Sequence, residues 1–181
     1  MKKILHIIFV FLLIEVTSGF SPLVSHFQEV PTEAEEYALK AVFIYNFTKY
    51  IEWQPYSMDN DEFVISVLGP SPVIKPLLEI AATKTVKGKK IIIRQFYSPD
   101  DIRFTHILFI SQKNTSTLYS VLSKVSKGTL TIGERDGAAL EGAAFNFVII
   151  NNKLKFEANT DAITLAGLKA SSELLKLAIL N

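Results

Sequence analysis

Carboxylates occur in close pairs at two places in the chain, Asp59 with Asp61 and Asp100 with Asp101. Such a pair can supply a general acid and a general base only when two different environments separate their pKa values. Both pairs stand among serine, asparagine and proline residues, in segments typical of solvent-exposed turns. The sequence therefore favours turn residues over a catalytic pair at both places.

Other residue types that could carry chemistry are scarce. The chain has no cysteine, which excludes disulfides, thiolate nucleophiles and cysteine-zinc sites. Its histidines, His6, His26 and His106, are too few for a histidine-based metal site, and no G-x-S-x-G, H-E-x-x-H or Walker pattern occurs. His106 begins an apolar run, where we interpret it as a hydrogen-bonded core or edge residue. We expect no catalytic residue, no cofactor and no metal, and a protein that is not an enzyme.

The segment from Gly133 to Gly142, GERDGAALEG, has the composition most typical of a binding loop, because three glycines surround charges of both signs. It lacks the spacing of a phosphate-binding loop or a dinucleotide fingerprint. An ordinary polar turn remains the alternative, since glycine and aspartate also serve turns. We keep Glu134, Arg135 and Asp136 as candidates for partner contact.

The N-terminus has the order of a secretory signal peptide. Residues 1–21 carry two lysines, then an apolar run from Ile4 to Ile14, then small residues. An uncleaved anchor is the alternative, but the run is short for a membrane span. We assign residues 1–21 to a signal peptide, 22–31 to a leader and 32–181 to one folded domain, exported and without a membrane span after cleavage. With 19 basic and 18 acidic residues, nothing indicates nucleic-acid binding.

The fold must position the candidate contact residues, and its first predicted element is a helix rich in aromatic side chains. Thr32 can cap it, three glutamates follow in its first turn, and Pro55 predicts that it ends near Trp53. Its aromatic residues are typical of core packing. The alternative for Tyr50 and Trp53 is an aromatic anchor for a partner, of the kind enriched in interface hot spots.

Downstream, apolar runs and turn residues predict alternating strands and helices. The predicted segments are strand 63–68, helix 71–83, strand 90–96, strand 106–111, helix 117–127, strand 129–132, a hairpin over 144–158 and a helix over 161–180. Asn151 and Asn152 suit the hairpin turn, and Glu157 lies on its wet face. The fold class is α/β: a single layered domain whose mixed, mainly parallel sheet has helices on its faces, with a C-terminal antiparallel hairpin followed by a helix.

Five stretches, in order, resemble the YfiR-like family: EYALKAVFIYNFTKYIEW at 36–53, ISVLG at 65–69, HILFIS at 106–111, GAAFNFVIINNKLKFEAN at 142–159 and AGLKASSELLKLA at 166–178. The resemblance implies a non-enzymatic periplasmic protein. It implies a repressor that docks on the sensing region of an inner-membrane diguanylate cyclase and lowers cyclic-di-GMP signalling. Family members often form dimers, so a homodimer is a further expectation. Cysteine bridges found in some members have no counterpart here.

Two functions follow as hypotheses. The first is a regulatory interaction protein whose partner is an inner-membrane sensor protein, such as a diguanylate cyclase or a sensor kinase. The second is a periplasmic module that binds a small ligand or an envelope component. The contact candidates for either are Tyr50, Trp53, Glu134, Arg135, Asp136 and Glu157.

Overall fold

A computed structural model describes residues 31–54, 61–114 and 116–181. The assigned signal peptide, most of the leader and Asp59 lie outside the described residues. The helices are α1 (Glu33–Tyr50), α2 (Ile74–Thr83), α3 (Leu118–Leu122), α4 (Thr160–Leu165) and α5 (Ser172–Leu175). The strands are β1 (Ile51–Glu52), β2 (Glu62–Leu68), β3 (Thr85–Val86), β4 (Lys89–Phe96), β5 (Ile107–Ile110), β6 (Leu130–Gly133), β7 (Phe145–Ile150), β8 (Lys153–Ala158), β9 (Lys169–Ala170) and β10 (Ile179–Leu180).

Helix α1 begins where its capping residues predict. The Thr32 hydroxyl accepts from the Glu35 amide, and the Glu35 carboxylate accepts from the Thr32 amide at 2.8 Å, which satisfies two otherwise unpaired donors reciprocally. The prediction that the helix continues to Trp53 is wrong. It ends at Tyr50, and the next residues form β1, which pairs antiparallel with β9.

The main sheet has eight strands in the order β10-β8-β7-β6-β5-β2-β4-β3. Strands β4, β2, β5, β6 and β7 are mutually parallel, β8 runs antiparallel to β7, and β3 runs antiparallel to β4. The predicted α/β class, with a mainly parallel sheet and a C-terminal hairpin, is confirmed. Asn151 and Asn152 adopt φ of 52° and 58° in the hairpin turn, a left-handed conformation that asparagine tolerates.

Alternation along the buried strands sends side chains into two cores. On one face, Val67, Ile107 and Phe109 join the large cluster beneath α1 and α2. On the other face, Leu68, Leu108 and Ile110 pack with α3 and the turn that follows β6. Both faces of the central strands are therefore covered, as their unbroken apolar sequences predict.

The predicted single C-terminal helix is also wrong. Gly167 adopts φ +73° and closes α4, because its amide donates to the Thr164 carbonyl and the Leu168 amide donates to the Ile163 carbonyl. The chain then forms β9 against β1, and Ser171 caps the short helix α5. Helix α3 likewise ends at Leu122, five residues before its predicted end.

Candidate functional site: the helix–hairpin groove

A groove of about 610 Å³ lies between the N-terminal half of α1 and the tip of the β7–β8 hairpin. We call it the helix–hairpin groove. Its wall residues are Pro31, Glu35, Glu36, Leu39, Ile149, Asn152, Lys153 and Leu154.

The groove is open because only one half of α1 is sealed against the hairpin by aromatic rings. Phe43 lies 6.0 Å from both Phe147 and Phe156, and Phe47 lies 4.7 Å from Phe145 between ring centroids. One to two turns earlier, α1 carries Glu35, Glu36 and Leu39, none of which is aromatic. The helix and the hairpin tip therefore leave a cleft between them.

The walls of this cleft expose apolar side chains. Leu39 is 44% exposed and Ile149 is 51% exposed, on opposite sides of the groove. Leu154, the cross-strand partner of Ile149, is partly buried beside it. An apolar surface rimmed by polar residues is typical of an interaction site or a ligand groove.

At its inner end the groove meets a smaller polar cavity of about 320 Å³, which we call the Lys40 pit. Lys40 Nζ lies 2.6 Å from Glu134 Oε2 and 2.7 Å from Glu36 Oε1. The other Glu134 oxygen accepts from the Gln112 amide at 3.0 Å and from the Tyr37 hydroxyl at 3.3 Å. Asp136 completes the polar side of the pit.

The sheet topology brings these groups together from distant parts of the sequence. Gln112 and Glu134 follow the neighbouring parallel strands β5 and β6, and Ile110 is in register with Gly133 at their ends. The pit therefore lies at the carboxyl ends of parallel strands, the usual place for a site in an open α/β sheet. Helix α1 adds Lys40 from above.

Burial and the neighbouring charges act in opposite directions on Lys40. Burial lowers the pKa of the Lys40 ammonium, but hydrogen bonds and charge from Glu134 and Glu36 outweigh it and raise the pKa above its ordinary value. Burial and the Glu134 charge likewise raise the pKa of the Tyr37 hydroxyl. Lys40 is thus held as a cation and Tyr37 as a neutral donor, so the described geometry gives neither group the properties of a general base near neutral pH.

The aromatic candidates lie at the opposite end of α1 from the groove. Tyr50 is 42% exposed, whereas Trp53 is only 6% exposed and its ring packs edge-on against Phe63 at 5.1 Å. The structure therefore separates the two rings that the sequence offered as one anchor. The burial of Trp53 agrees with core packing, the favoured interpretation of these aromatic residues, rather than with a partner anchor.

The polar candidates for partner contact lie in different environments. Glu134 is buried in the Lys40 pit, Arg135 is exposed and pairs with Glu141, and exposed Asp136 borders the pit. Glu157 lies on the hairpin face opposite to the groove. Its carboxylate accepts a hydrogen bond from the side-chain amide of buried Asn146 at 2.8 Å. Glu157 is half-buried, so the hairpin face that was predicted to be solvent-exposed is partly covered at this residue.

Sequence reasoning missed the residues that form the groove. Leu39, Ile149 and Leu154 have the apolar side chains usual at core positions of a helix and a hairpin, and a single lysine within an aromatic-rich helix does not by itself indicate a buried ion pair. The available signal was the pair Ile149–Ile150 directly before an Asn–Asn turn, where a hairpin tip in water normally carries polar residues. His106 is placed as predicted, buried and accepting from the Val64 amide at 2.9 Å.

Metal binding and membrane crossing both need side chains that can be recognised among the described residues. No group of three or more metal-ligating side chains is found among residues 31–54, 61–114 and 116–181. In the same part of the chain, no helix combines the length and hydropathy that a membrane crossing requires.

Comparison with known proteins supports the fold and identifies the family. A conserved domain protein from Vibrio cholerae O1 biovar El Tor str. N16961 has a similar structure, with a TM-score of 0.52 and 11% sequence identity; the match covers 80% of this chain and 59% of that one. The chain therefore spans less than two thirds of that protein's length. No curated protein matches the chain. The YfiR/HmsC-like family model matches residues 37–179, from the second turn of α1 to β10, and the chain belongs to the YfiR/HmsC-like family.

Proposed function

We propose that this protein is an exported regulator that binds the periplasmic sensing region of an inner-membrane diguanylate cyclase and lowers cyclic-di-GMP signalling. The observation that carries the proposal is the family match across residues 37–179, because the YfiR/HmsC-like family suggests periplasmic regulators of this signalling system. The family is regulatory rather than catalytic, which agrees with the scarcity of chemistry-bearing residues. A sensor kinase is the other membrane partner that we consider.

The helix–hairpin groove supports a docking role. Leu39 on α1 and Ile149 on the hairpin present apolar surface, and polar residues surround them. A repressor needs only a higher affinity for the inactive than for the active state of its partner. We assign the groove to this contact, with exposed Asp136 at its inner end as a polar contributor.

Affinity capture from gently solubilised envelopes tests the proposal. The bait is the tagged protein without residues 1–21, and mass spectrometry identifies what co-purifies. We expect a membrane cyclase with the unchanged bait and a loss of at least about tenfold with the double variant Leu39→Gln/Ile149→Thr. Leu78→Gln is the matched control, since Leu78 is a helix leucine with 52% exposure away from the groove. Equal recovery with the double variant would remove the groove from the proposal.

A second function, binding of a small ligand or envelope component, is favoured by the size of the groove. Its volume of about 610 Å³ lies within the range usual for small-molecule sites. A panel of small ligands tested by thermal shift would favour this function if one ligand stabilised the unchanged protein strongly and the double variant weakly. No shift with any ligand, together with capture of a cyclase, would favour the regulator.

A further inference from the structure

A short hairpin at one edge of the main sheet is strongly basic. Its sequence from Lys84 to Lys90, KTVKGKK, contains four lysines and no acidic residue. It comprises β3, a tight turn and the first two residues of β4, which pair antiparallel with β3. Lys84, Lys87 and Lys90 are exposed, whereas Lys89 is half-buried and has contacts of its own. We call Lys84, Lys87 and Lys90 the hairpin lysines.

The hairpin is anchored at its base and open at its tip. Val86 is buried in the large core, and the Tyr45 hydroxyl of α1 donates to the Thr85 carbonyl at 3.4 Å. At the tip, a Cβ added to Gly88 would meet no atom of the described chain within 4 Å. Beyond the hairpin, residues 91–96 of β4 have no strand partner on their outer side within residues 31–54, 61–114 and 116–181. The lysines are therefore presented on an anchored element at the outer edge of the sheet.

Two carboxylates and two arginines lie beside the hairpin, and their charges balance. Glu62 is in register with Lys90, and Asp61 precedes it. Arg94 Nη2 lies 3.9 Å from Glu62 Oε2, and Arg103 lines the same cavity as these three residues. Among the described residues, the net charge of this corner of the sheet is therefore that of its lysines.

The helix–hairpin groove and the Lys40 pit have the opposite charge. Their linings combine four carboxylates with two lysines: Glu35, Glu36, Glu134, Asp136, Lys40 and Lys153. Strands β4 and β7 are parallel, so the β3–β4 turn lies at the amino ends of the strands and the β7–β8 turn at the carboxyl ends. Five interstrand spacings, about 24 Å, separate β4 from β8. The basic corner and the acidic groove thus lie at diagonally opposite ends of the sheet.

We propose that the hairpin lysines contact the surface of an anionic phospholipid bilayer, with the acidic groove turned away from it. Removal of residues 1–21 takes away Lys2, Lys3 and Glu15 and leaves 17 basic and 17 acidic residues. The attraction therefore comes from the distribution of charge and not from a net charge. Each lysine close to an anionic bilayer raises the partition coefficient about fivefold, so three lysines raise it about a hundredfold.

The placement of the lysines favours a bilayer over an acidic segment of a protein. They stand on a turn and an edge strand that extend into solvent, whereas a single acidic side chain is usually held by cations that converge around a cavity. Contact at this corner would leave the groove accessible on the side away from the lipid. A protein confined to the bilayer meets a membrane partner at a higher effective concentration. The contact itself does not depend on which membrane partner the groove binds.

Vesicle sedimentation tests the contact. The protein without residues 1–21 is mixed with vesicles of phosphatidylcholine alone or with about 30% phosphatidylglycerol, in about 0.1 M salt. We expect partitioning onto the anionic vesicles to be about a hundredfold stronger, and the preference to disappear at about 1 M salt. The triple variant Lys84→Glu/Lys87→Glu/Lys90→Glu should lose the preference, because it reverses all three charges.

A matched variant separates local from net charge. Lys113→Glu/Lys153→Glu/Lys155→Glu makes the same change in net charge at three exposed lysines toward the groove end of the sheet. Because the groove is more than a Debye length of about 10 Å from the hairpin, this variant should keep most of the preference. Equal losses from both triple variants would show attraction by net charge and overturn the assigned surface. Thermal melting of each variant checks that it folds.

Two further outcomes would overturn the bilayer as the occupant. Equal partitioning of the unchanged protein onto anionic and neutral vesicles would remove the contact. Binding of soluble poly-L-glutamate through the hairpin lysines, without binding to vesicles, would assign the surface to an acidic protein instead.

Single labelled cysteines test the orientation, because the chain has no cysteine of its own. Thr85→Cys places a fluorescent label on the exposed hairpin, and Lys153→Cys places it on the groove wall. With anionic vesicles we expect acrylamide to lose access to the label at 85 and to keep its access to the label at 153. Protection of the label at 153 alone, or equal protection of both labels, would overturn the orientation.

Discussion

Replacing Lys40 by methionine tests whether the Lys40 pit is held together by its ion pair. Methionine keeps most of the apolar stem and removes only the ammonium group. The Glu134 side chain is completely buried and would then keep only neutral donors, the Tyr37 hydroxyl and the Gln112 amide. Removing one partner of a buried ion pair costs about 3–5 kcal/mol, because it leaves an uncompensated buried charge. We expect this loss in the free energy of unfolding.

Substitutions at other charged residues give free-energy changes with which the loss for Lys40→Met can be compared. The Glu36 side chain is 31% exposed, so water screens its pair with Lys40, and Glu36→Gln should cost no more than about 1 kcal/mol. Lys49→Met is the matched control on the same helix, since Lys49 is exposed and contacts only neutral groups, the half-buried Asn46 and Tyr45, among the described residues; it should change stability by less than about 0.5 kcal/mol. The double variant Lys40→Met/Glu134→Leu removes both buried charges and should be more stable than Lys40→Met alone.

Urea unfolding followed by circular dichroism measures these differences. The raised pKa of Lys40 gives the sign of the pH dependence: its stabilisation is fully present below the ordinary lysine value of 10.5 and is lost as pH rises through the higher folded value. The difference between the unchanged protein and Lys40→Met should therefore persist from neutral pH to 10.5 and decrease above it. A loss below about 1 kcal/mol for Lys40→Met, or a double variant less stable than Lys40→Met, would refute the buried ion-pair reasoning.

Further predictions concern the cap, the hairpin turn and the hairpin's outer face. Thr32→Ala should cost about 1 kcal/mol in urea unfolding. Because the Thr32 amide and hydroxyl lower the pKa of Glu35, the advantage of the unchanged protein over Glu35→Gln should be present above pH 4.5 and vanish as pH falls further; an advantage independent of pH would contradict this. Asn152→Val should cost about 1–2 kcal/mol through its left-handed backbone, whereas Asn152→Gly should not destabilise. Glu157→Ala should cost about 1–3 kcal/mol by leaving the buried Asn146 amide without its acceptor, and Glu157→Gln less; equal stabilities would show that the Asn146 contact contributes nothing.

The predicted parts of the fold are those specified by local physics. Thr32 and three glutamates define a helix start through hydrogen bonds to nearest neighbours, and Asn151–Asn152 define a hairpin turn through their backbone preference. The errors arose where a long-range pairing competed with a local pattern. Residues 51–52 and 169–170 lie within segments that the sequence predicts as helices, yet they pair with each other as β1 and β9.

For the candidate site, local pattern was a poor guide. The contact candidates were selected by composition, and the structure disperses them over the core, the pit, the surface and the far face of the hairpin. The groove depends instead on where aromatic rings stop filling the space between α1 and the hairpin, which is a property of packing between segments about a hundred residues apart.

The sequence by itself determined the α/β class, the succession of the six longer strands β2, β4, β5, β6, β7 and β8, the scarcity of chemistry-bearing residues and the family, because alternation, capping and composition are local and additive. Only the tertiary structure decided that Lys40 and Glu134 form one buried pair and that the edge of β4 lacks a strand partner over 91–96 among the described residues. Both depend on which strands become neighbours in the sheet. That choice is made by burial summed over the whole chain, and no short stretch of sequence contains it.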